Sequence, residues 1–176
     1  MGRPLAPRSS SDRDHVMTPL GLACAIAEAL HPWGHILEPC AGTGNFVPAL
    51  EPWGERVSLC ELDHGTDFLA WTTPVDWIVT NPPWSKFRPF LVHAMSVADD
   101  IALLATVNHW WTKARVRDVA EAGFGYVSLW LTKPWPDGFP ASGFQLGVMH
   151  IRRGWHGPLH IQPLTWAQEE QVRNGH

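Results

Sequence analysis

Apolar positions along this chain fall into short runs separated by glycine, proline and polar turns. Leu20, Ala23, Ala27 and Leu30 recur at helical spacing and predict a helix over residues 20–30. Thr18-Pro19 ahead of it reads as an N-cap followed by a first helical residue. Residues 35–40 predict a short strand, and a glycine-rich turn then leads into a helix from Phe46 to about Leu50. Residues 56–63 predict a second strand ending in acid, and residues 75–80 a strongly apolar third. A helix over 88–97, a strand over 101–107, a helix over 112–122 and strands over 126–131 and 145–151 complete the pattern. Strand–helix alternation of this kind implies an α/β fold, a mainly parallel sheet with helices on both faces. The last two strands are joined by a proline-containing loop, residues 132–143, with no room for a helix, so they are expected to run antiparallel. Residues 1–14 read as a flexible arm, 15–153 as a single domain and 154–176 as a polar tail.

Composition narrows the class. The chain has 176 residues, 45% hydrophobic and 17% charged, which suits one globular domain. No apolar run reaches a membrane span and residues 1–14 hold no apolar signal core, so neither membrane nor export is expected and a cytoplasmic location is. Cys24, Cys40 and Cys60 have no metal-ligand spacing and read as reduced core thiols. Gly157-Pro158 breaks the helical spacing of His156 and His160, so no metal is expected. A net charge of −4 argues against a strong nonspecific grip on nucleic acid, although a local basic patch is compatible with it. Most of the eleven tryptophans are expected in the core, with a minority available for stacking.

The chemistry concentrates at predicted strand ends. Gly42 and Gly44 allow a sharp turn and close backbone approach to a ligand. The third glycine of a dinucleotide fingerprint is missing, so a nicotinamide or flavin dinucleotide is disfavoured. Glu61 ends the next strand, where an acid can accept hydrogen bonds from both ribose hydroxyls of an adenosine; Asp63 is the competing acid. Asp67 and Phe68 can hold an adenine through its amine and its face, or can cap a turn and fill the core. Asn81-Pro82-Pro83-Trp84 closes the third strand, and its prolines forbid continuation of the sheet. An exocyclic amine is a poor nucleophile because its lone pair is delocalised into the ring. The Asn81 side-chain carbonyl and the Pro82 backbone carbonyl can accept its two N–H groups and free that lone pair, while Pro83 stiffens the turn. Trp84 can then stack on an extruded base.

Together, Thr18-Pro19, the run from Leu37 to Phe46, Glu61, Asp67-Phe68 and Asn81-Pro82-Pro83-Trp84 resemble a class I S-adenosylmethionine-dependent methyltransferase. More narrowly they resemble the N6-adenine DNA methyltransferases of the γ motif order, over roughly residues 15–151. The resemblance implies a Rossmann-like, seven-stranded sheet of order 3-2-1-4-5-7-6 with strand 7 antiparallel. It implies S-adenosylmethionine as cofactor, lined by Thr18, Glu38, Pro39, Ala41, Gly42, Gly44, Phe46 and Asn81. Glu61 would hold the ribose, and Asp67 with Phe68 the adenine. It implies that Asn81, Pro82 and Pro83 orient the target amine and that Trp84 stacks on the base, where the family more often carries Tyr or Phe.

DNA is the expected substrate, with RNA adenine, cytosine N4 or a protein glutamine amide as alternatives and a non-catalytic subunit ranked last. Lys86, Arg88, Trp110, Trp111, Lys113, Arg115 and Trp135 are the candidate substrate contacts. Arg152 and Arg153 belong to the same basic set, and a solvated helix face is the competing reading for the arginines after Trp111. Neither residues 85–100 nor those after Arg153 offer room for a target-recognition domain. Specificity is therefore expected to be low or short, or supplied by a homodimer or a partner subunit.

Overall fold

A computed structural model of the chain describes residues 16–42, 44–60, 65 and 67–168. In chain order the elements are α1 (Leu20–Leu30), β1 (His35–Glu38), α2 (Phe46–Leu50), β2 (Arg56–Leu59), β3 (Val75–Thr80), α3 (Phe87–Val97), β4 (Ala98–Thr106), α4 (Lys113–Glu121), β5 (Phe124–Lys133), β6 (Leu146–Arg153) and β7 (His160–Thr165). Short 3₁₀ turns cover Phe68–Ala70, Trp84–Lys86 and Val107–His109.

The seven strands form one sheet in the order β2-β1-β3-β4-β6-β5-β7. β2, β1, β3 and β4 are parallel, and β6 runs antiparallel to both β4 and β5. No helix separates β5 from β6, so the chain reverses there as expected. Two details depart from the expected order. Among the described residues no strand lies between β2 and β3: Asp67 instead caps the turn Phe68–Ala70, and Pro74 leads directly into β3. The seventh strand is β7, which pairs parallel to β5 from within the segment read as a tail. It is an edge strand exposed along most of its length, so it lacks a clean alternation and tolerates Pro163. Buried Trp166 then donates through Nε1 to the Pro134 carbonyl at 2.9 Å, and through its backbone N–H to the Lys133 carbonyl at 3.1 Å. Gly21 of α1 lies so close that a Cβ there would meet the Ala167 carbonyl at 2.8 Å.

Strand pleating separates the core into two layers. Ile36, Trp77, Val79, Ala102 and Leu104 pack under α1 and α2, against Leu22, Ile26, Ala27, Phe46 and Leu50. Leu37, Ile78, Ile101, Leu103 and Ala105 face α3, against Phe87, Phe90, Leu91 and Ala94. Alternate strand residues thus serve opposite layers, as a two-residue period requires. The helix α1 starts at Leu20 with Pro19 as its N-cap and no side-chain capping bond, which corrects the expected role of Thr18. Thr18 is buried instead, with its carbonyl turned to another use.

At the ends of β3 and β4 where these strands begin, Asp100 is 4% exposed and His150 5% exposed. His150 Nε2 and Arg152 Nε each lie 2.6 Å from Asp100 Oδ1, and Trp77 stacks on His150 at 4.7 Å. All three cysteines are free, but Cys24 is exposed on α1, so only Cys60 fits a fully buried thiol. Among the described residues no helix is long and apolar enough to cross a membrane.

Candidate methyl-acceptor site at the strand ends

β1 and β3 end side by side, and the polar groups of the sequence motifs meet there. Glu38, the last residue of β1, is fully buried. Its Oε1 accepts from the Cys40 backbone N–H at 2.8 Å and from the Thr80 hydroxyl, tying the end of β1 to the end of β3. The Cys60 N–H donates to the Glu38 carbonyl at 2.9 Å, and the Ala41 N–H to the Cys60 carbonyl at 3.1 Å, which brings in the end of β2. Burial pushes the Cys60 thiol up to about 11, and the charges of Glu38 and Asp67 push the same way.

Gly42 and Gly44 both hold left-handed backbone, φ 52° and 82°, which any side chain would strain. A Cβ on Gly42 would meet Met17 Sδ at 2.8 Å, whereas the space beside Gly44 is open. Residues 16–18 lie across this turn and supply backbone acceptors on two sides. The Val16 carbonyl accepts from Asn81 Nδ2 at 3.0 Å, and the Thr18 carbonyl from Asn45 Nδ2 at 2.8 Å. The Asn81 amide is thereby oriented with Oδ1 as its remaining acceptor, and Oδ1 has no hydrogen-bond partner among the described residues. Pro82 is buried beside it. The Pro83 carbonyl accepts from the Lys86 N–H at 3.0 Å, which starts the 3₁₀ turn and sets the direction of Trp84.

β4 runs past the end of β3, since Thr80 pairs with Leu103 and the strand continues to Thr106. Trp84 fills the notch so formed. It is half-buried, its Nε1 lies 3.3 Å from the Leu104 carbonyl, and its ring adjoins His109 and Phe139 at 5.5 and 6.1 Å. Trp84 is therefore held partly packed at the strand ends rather than presented as a fully open platform.

Of the expected site residues, Thr18, Glu38, Pro39, Ala41, Gly42, Gly44, Asn81, Pro82, Pro83 and Trp84 gather at this edge. Others do not. Phe46 is 4% exposed and packs into the α1 and α2 layer. Phe68, also 4% exposed, packs against Phe90 and His93 at 4.5 and 4.8 Å, so its face is taken. Asp67 caps its own turn, accepting from the Leu69 N–H at 2.9 Å. Glu61 and its competitor Asp63 lie outside the described residues.

Among the substrate contacts expected, Trp110 is fully buried between Phe87 and Tyr126, which removes it from any cleft. Trp111 is 46% exposed, with its ring 5.1 Å from that of Tyr126. Trp135 is half-buried, and Lys86 and Lys113 are exposed. Arg88 forms a bidentate pair with Asp118, at 2.6 and 3.1 Å, so it is not a free cation for phosphate. Arg115 lies over the Phe87 ring at 5.4 Å. Among the described residues no three His, Cys, Asp or Glu side chains gather as metal ligands.

Sequence reasoning misses Val16, Asn45, Thr80 and His109. A backbone carbonyl such as that of Val16 leaves no mark in sequence. Asn45, a polar amide directly after the glycine turn, is the one detectable signal.

No protein-family model and no curated protein sequence matches the chain. Solved structures do. A candidate RNA methyltransferase from Pyrococcus horikoshii is 20% identical with a TM-score of 0.55, over 76% of this chain and 83% of that one. A candidate class I S-adenosylmethionine-dependent methyltransferase from Listeria monocytogenes is 13% identical with a TM-score of 0.62, over 86% of this chain and 66% of that one. A modification subunit of a candidate type I restriction enzyme from Vibrio vulnificus is 14% identical with a TM-score of 0.61, over 83% of this chain and 46% of that one. The chain thus spans less than half of the modification subunit. At these identities the likeness is one of architecture, and what the chain shares with all three is the Rossmann-like fold of the class I methyltransferases.

Proposed function

We propose that this protein is an S-adenosylmethionine-dependent methyltransferase that transfers a methyl group to the exocyclic N6 amine of adenine in DNA. The observation that carries the reading is the oriented Asn81 amide. Its Nδ2 is held by the Val16 carbonyl, which leaves Oδ1 to accept a hydrogen bond beside the buried Pro82. With the Pro82 carbonyl as the second acceptor, Oδ1 would suit a planar amine whose lone pair must be released.

The residues present fit the cofactor. Gly42 and Gly44 provide a turn in which the backbone at Gly44 faces open space, as close approach of a ligand requires. Glu38 holds the ends of β1 and β3 in register beneath that turn. When bound, the cofactor supplies an electrophilic methyl group on a sulfonium. Ala41, Gly42, Gly44 and Glu61 would hold it, with Asp67 at the adenine end. Asn81 and the Pro82 carbonyl would orient the amine, and Trp84 would wall the base.

Likeness to a type I modification subunit favours DNA and leaves room for a homodimer or partner subunit. A second reading, adenine in RNA, draws on the likeness to the candidate RNA methyltransferase. The deciding experiment incubates the protein with isotopically labelled S-adenosylmethionine and, separately, DNA, RNA and protein, followed by nucleoside and peptide mass spectrometry. Labelled N6-methyladenine from DNA is the expected product. Label confined to RNA would move the substrate to the second reading. Label confined to N4-methylcytosine or to glutamine would replace adenine as the acceptor.

A further inference from the structure

His109 is a side chain beside the acceptor motif with no part in the chemistry described above. It ends the 3₁₀ turn Val107–His109 that follows β4, the neighbour of the strand carrying Asn81. Its ring centroid lies 5.5 Å from that of Trp84 and 5.3 Å from that of Phe87. The turn is pinned at both ends. The Val107 N–H donates to the Gln145 carbonyl at 2.9 Å, and the next residue, Trp110, is fully buried with its N–H on the Val107 carbonyl. Nδ1 lies 3.2 Å from the Thr106 carbonyl and 2.9 Å from the Thr106 hydroxyl. A carbonyl only accepts and a hydroxyl can do either, so the tautomer that satisfies both contacts has the proton on Nδ1 and the lone pair on Nε2. Nε2 has no hydrogen-bond partner among the described residues.

Methylating an amine leaves one proton too many on nitrogen. The N–C bond forms as the S–C bond of the methyl donor breaks, and the nitrogen gives up a proton as it does so. Asn81 and Pro82 offer amide carbonyls, which are hydrogen-bond acceptors and not bases at neutral pH.

We propose that Nε2 of His109, whose ring lies beside that of Trp84, takes the proton given up by the amine as it is methylated and passes it to water. This rests on the amino-methyltransferase reading above. His109 is suited to the role because it is neutral when the reaction begins. Partial burial lowers its pKa below that of an ordinary histidine, and the Arg115 guanidinium of α4 lowers it further, against the raising effect of its bond to Thr106. Arg88 of α3 and Asp118 of α4 stand behind Arg115, and Trp84 and Phe87 contribute no charge.

Two measurements test the proposal. Nitrogen-15 NMR of histidine-labelled protein, with no substrate present, is expected to show His109 in the Nδ1–H tautomer, titrating on the acid side of an ordinary histidine. An Nε2–H tautomer would overturn the assignment whatever the activity. Steady-state kinetics of His109→Gln is expected to show kcat lower by about a hundredfold with KM within about threefold, and loss of the acid limb of the pH–kcat profile. His109→Gln keeps a planar polar group beside Trp84, so a packing defect would appear in KM and thermal stability instead. A wild-type protein that methylates none of the acceptors would sink the functional reading and this inference together. An active wild type with an unchanged His109→Gln profile would sink only this inference.

Discussion

Two buried carboxylates stand at opposite ends of the same sheet. Asp100, where β4 begins, accepts from His150 and Arg152 on the adjacent β6. Glu38, where β1 ends, accepts from the Cys40 N–H and the Thr80 hydroxyl. The Asp100 cluster binds two strands with side chains that are also stacked, since Trp77 lies on His150. The Glu38 cluster binds three strand ends through backbone groups and the Thr80 hydroxyl, below a turn whose outer face is open at Gly44. One end commits its polar groups to each other. The other keeps Asn81 Oδ1 and His109 Nε2 without partners among the described residues. A sheet of this kind can be held at one end and left receptive at the other, because parallel strands put all their C-terminal ends on one edge.

The largest effect is expected at the closed end. Asp100→Ala should lower unfolding free energy by about 3 kcal/mol in urea denaturation, because it leaves His150 and Arg152 without their acceptor. Turnover per folded molecule should be unchanged. A loss of turnover without a loss of stability would dissolve the contrast between the two ends. Next in size, Asn81→Ala should lower kcat by about a hundredfold, while calorimetry shows donor affinity within about threefold. Its thermal midpoint should stay near that of the parent, since the Val16 carbonyl it releases lies at the open edge. Glu38→Gln should weaken donor binding by about tenfold, with a smaller stability loss than Asp100→Ala. The reverse ranking would make Glu38 the structural acid.

The smallest effect concerns Cys60, which sits against the Glu38 cluster. Its thiol is pushed up to about 11 in the folded protein, against an ordinary value of 9.0. Between those values the unfolded chain loses a proton that the folded one keeps. Stability therefore falls as pH rises from 9.0 toward about 11. Cys60→Ala should flatten that part of a stability–pH curve and leave the curve below pH 9.0 with the same slope.

Much of the open end is legible in the sequence. Prolines and glycines act on their own backbone, so Asn81-Pro82-Pro83-Trp84 has to leave the sheet and Gly42 and Gly44 have to turn. The rest depends on partners far along the chain. Aromatic residues read alike whether they fill a core or line a cleft, and so Phe68 and Trp110 read as ligand contacts yet pack inside. Arg88 reads as available for phosphate, but Asp118, on another helix, lies within 2.6 Å of it. The strand β7 escapes the sequence pattern for a related reason: exposed along most of its length and carrying Pro163, it is set in place by Leu131 and Trp130 beside it.

Sequence alone determined the order of elements from α1 to β6, the glycine turn and the rigid Asn-Pro-Pro-Trp corner, because those follow from local backbone restriction and hydrophobic period. Tertiary structure alone decided which way the Asn81 amide faces, how Trp84 is walled and that His109 stands beside it. Those depend on the Val16 carbonyl, the Leu104 carbonyl and the overrun of β4 past β3, and backbone acceptors and strand offsets carry no residue-type signal.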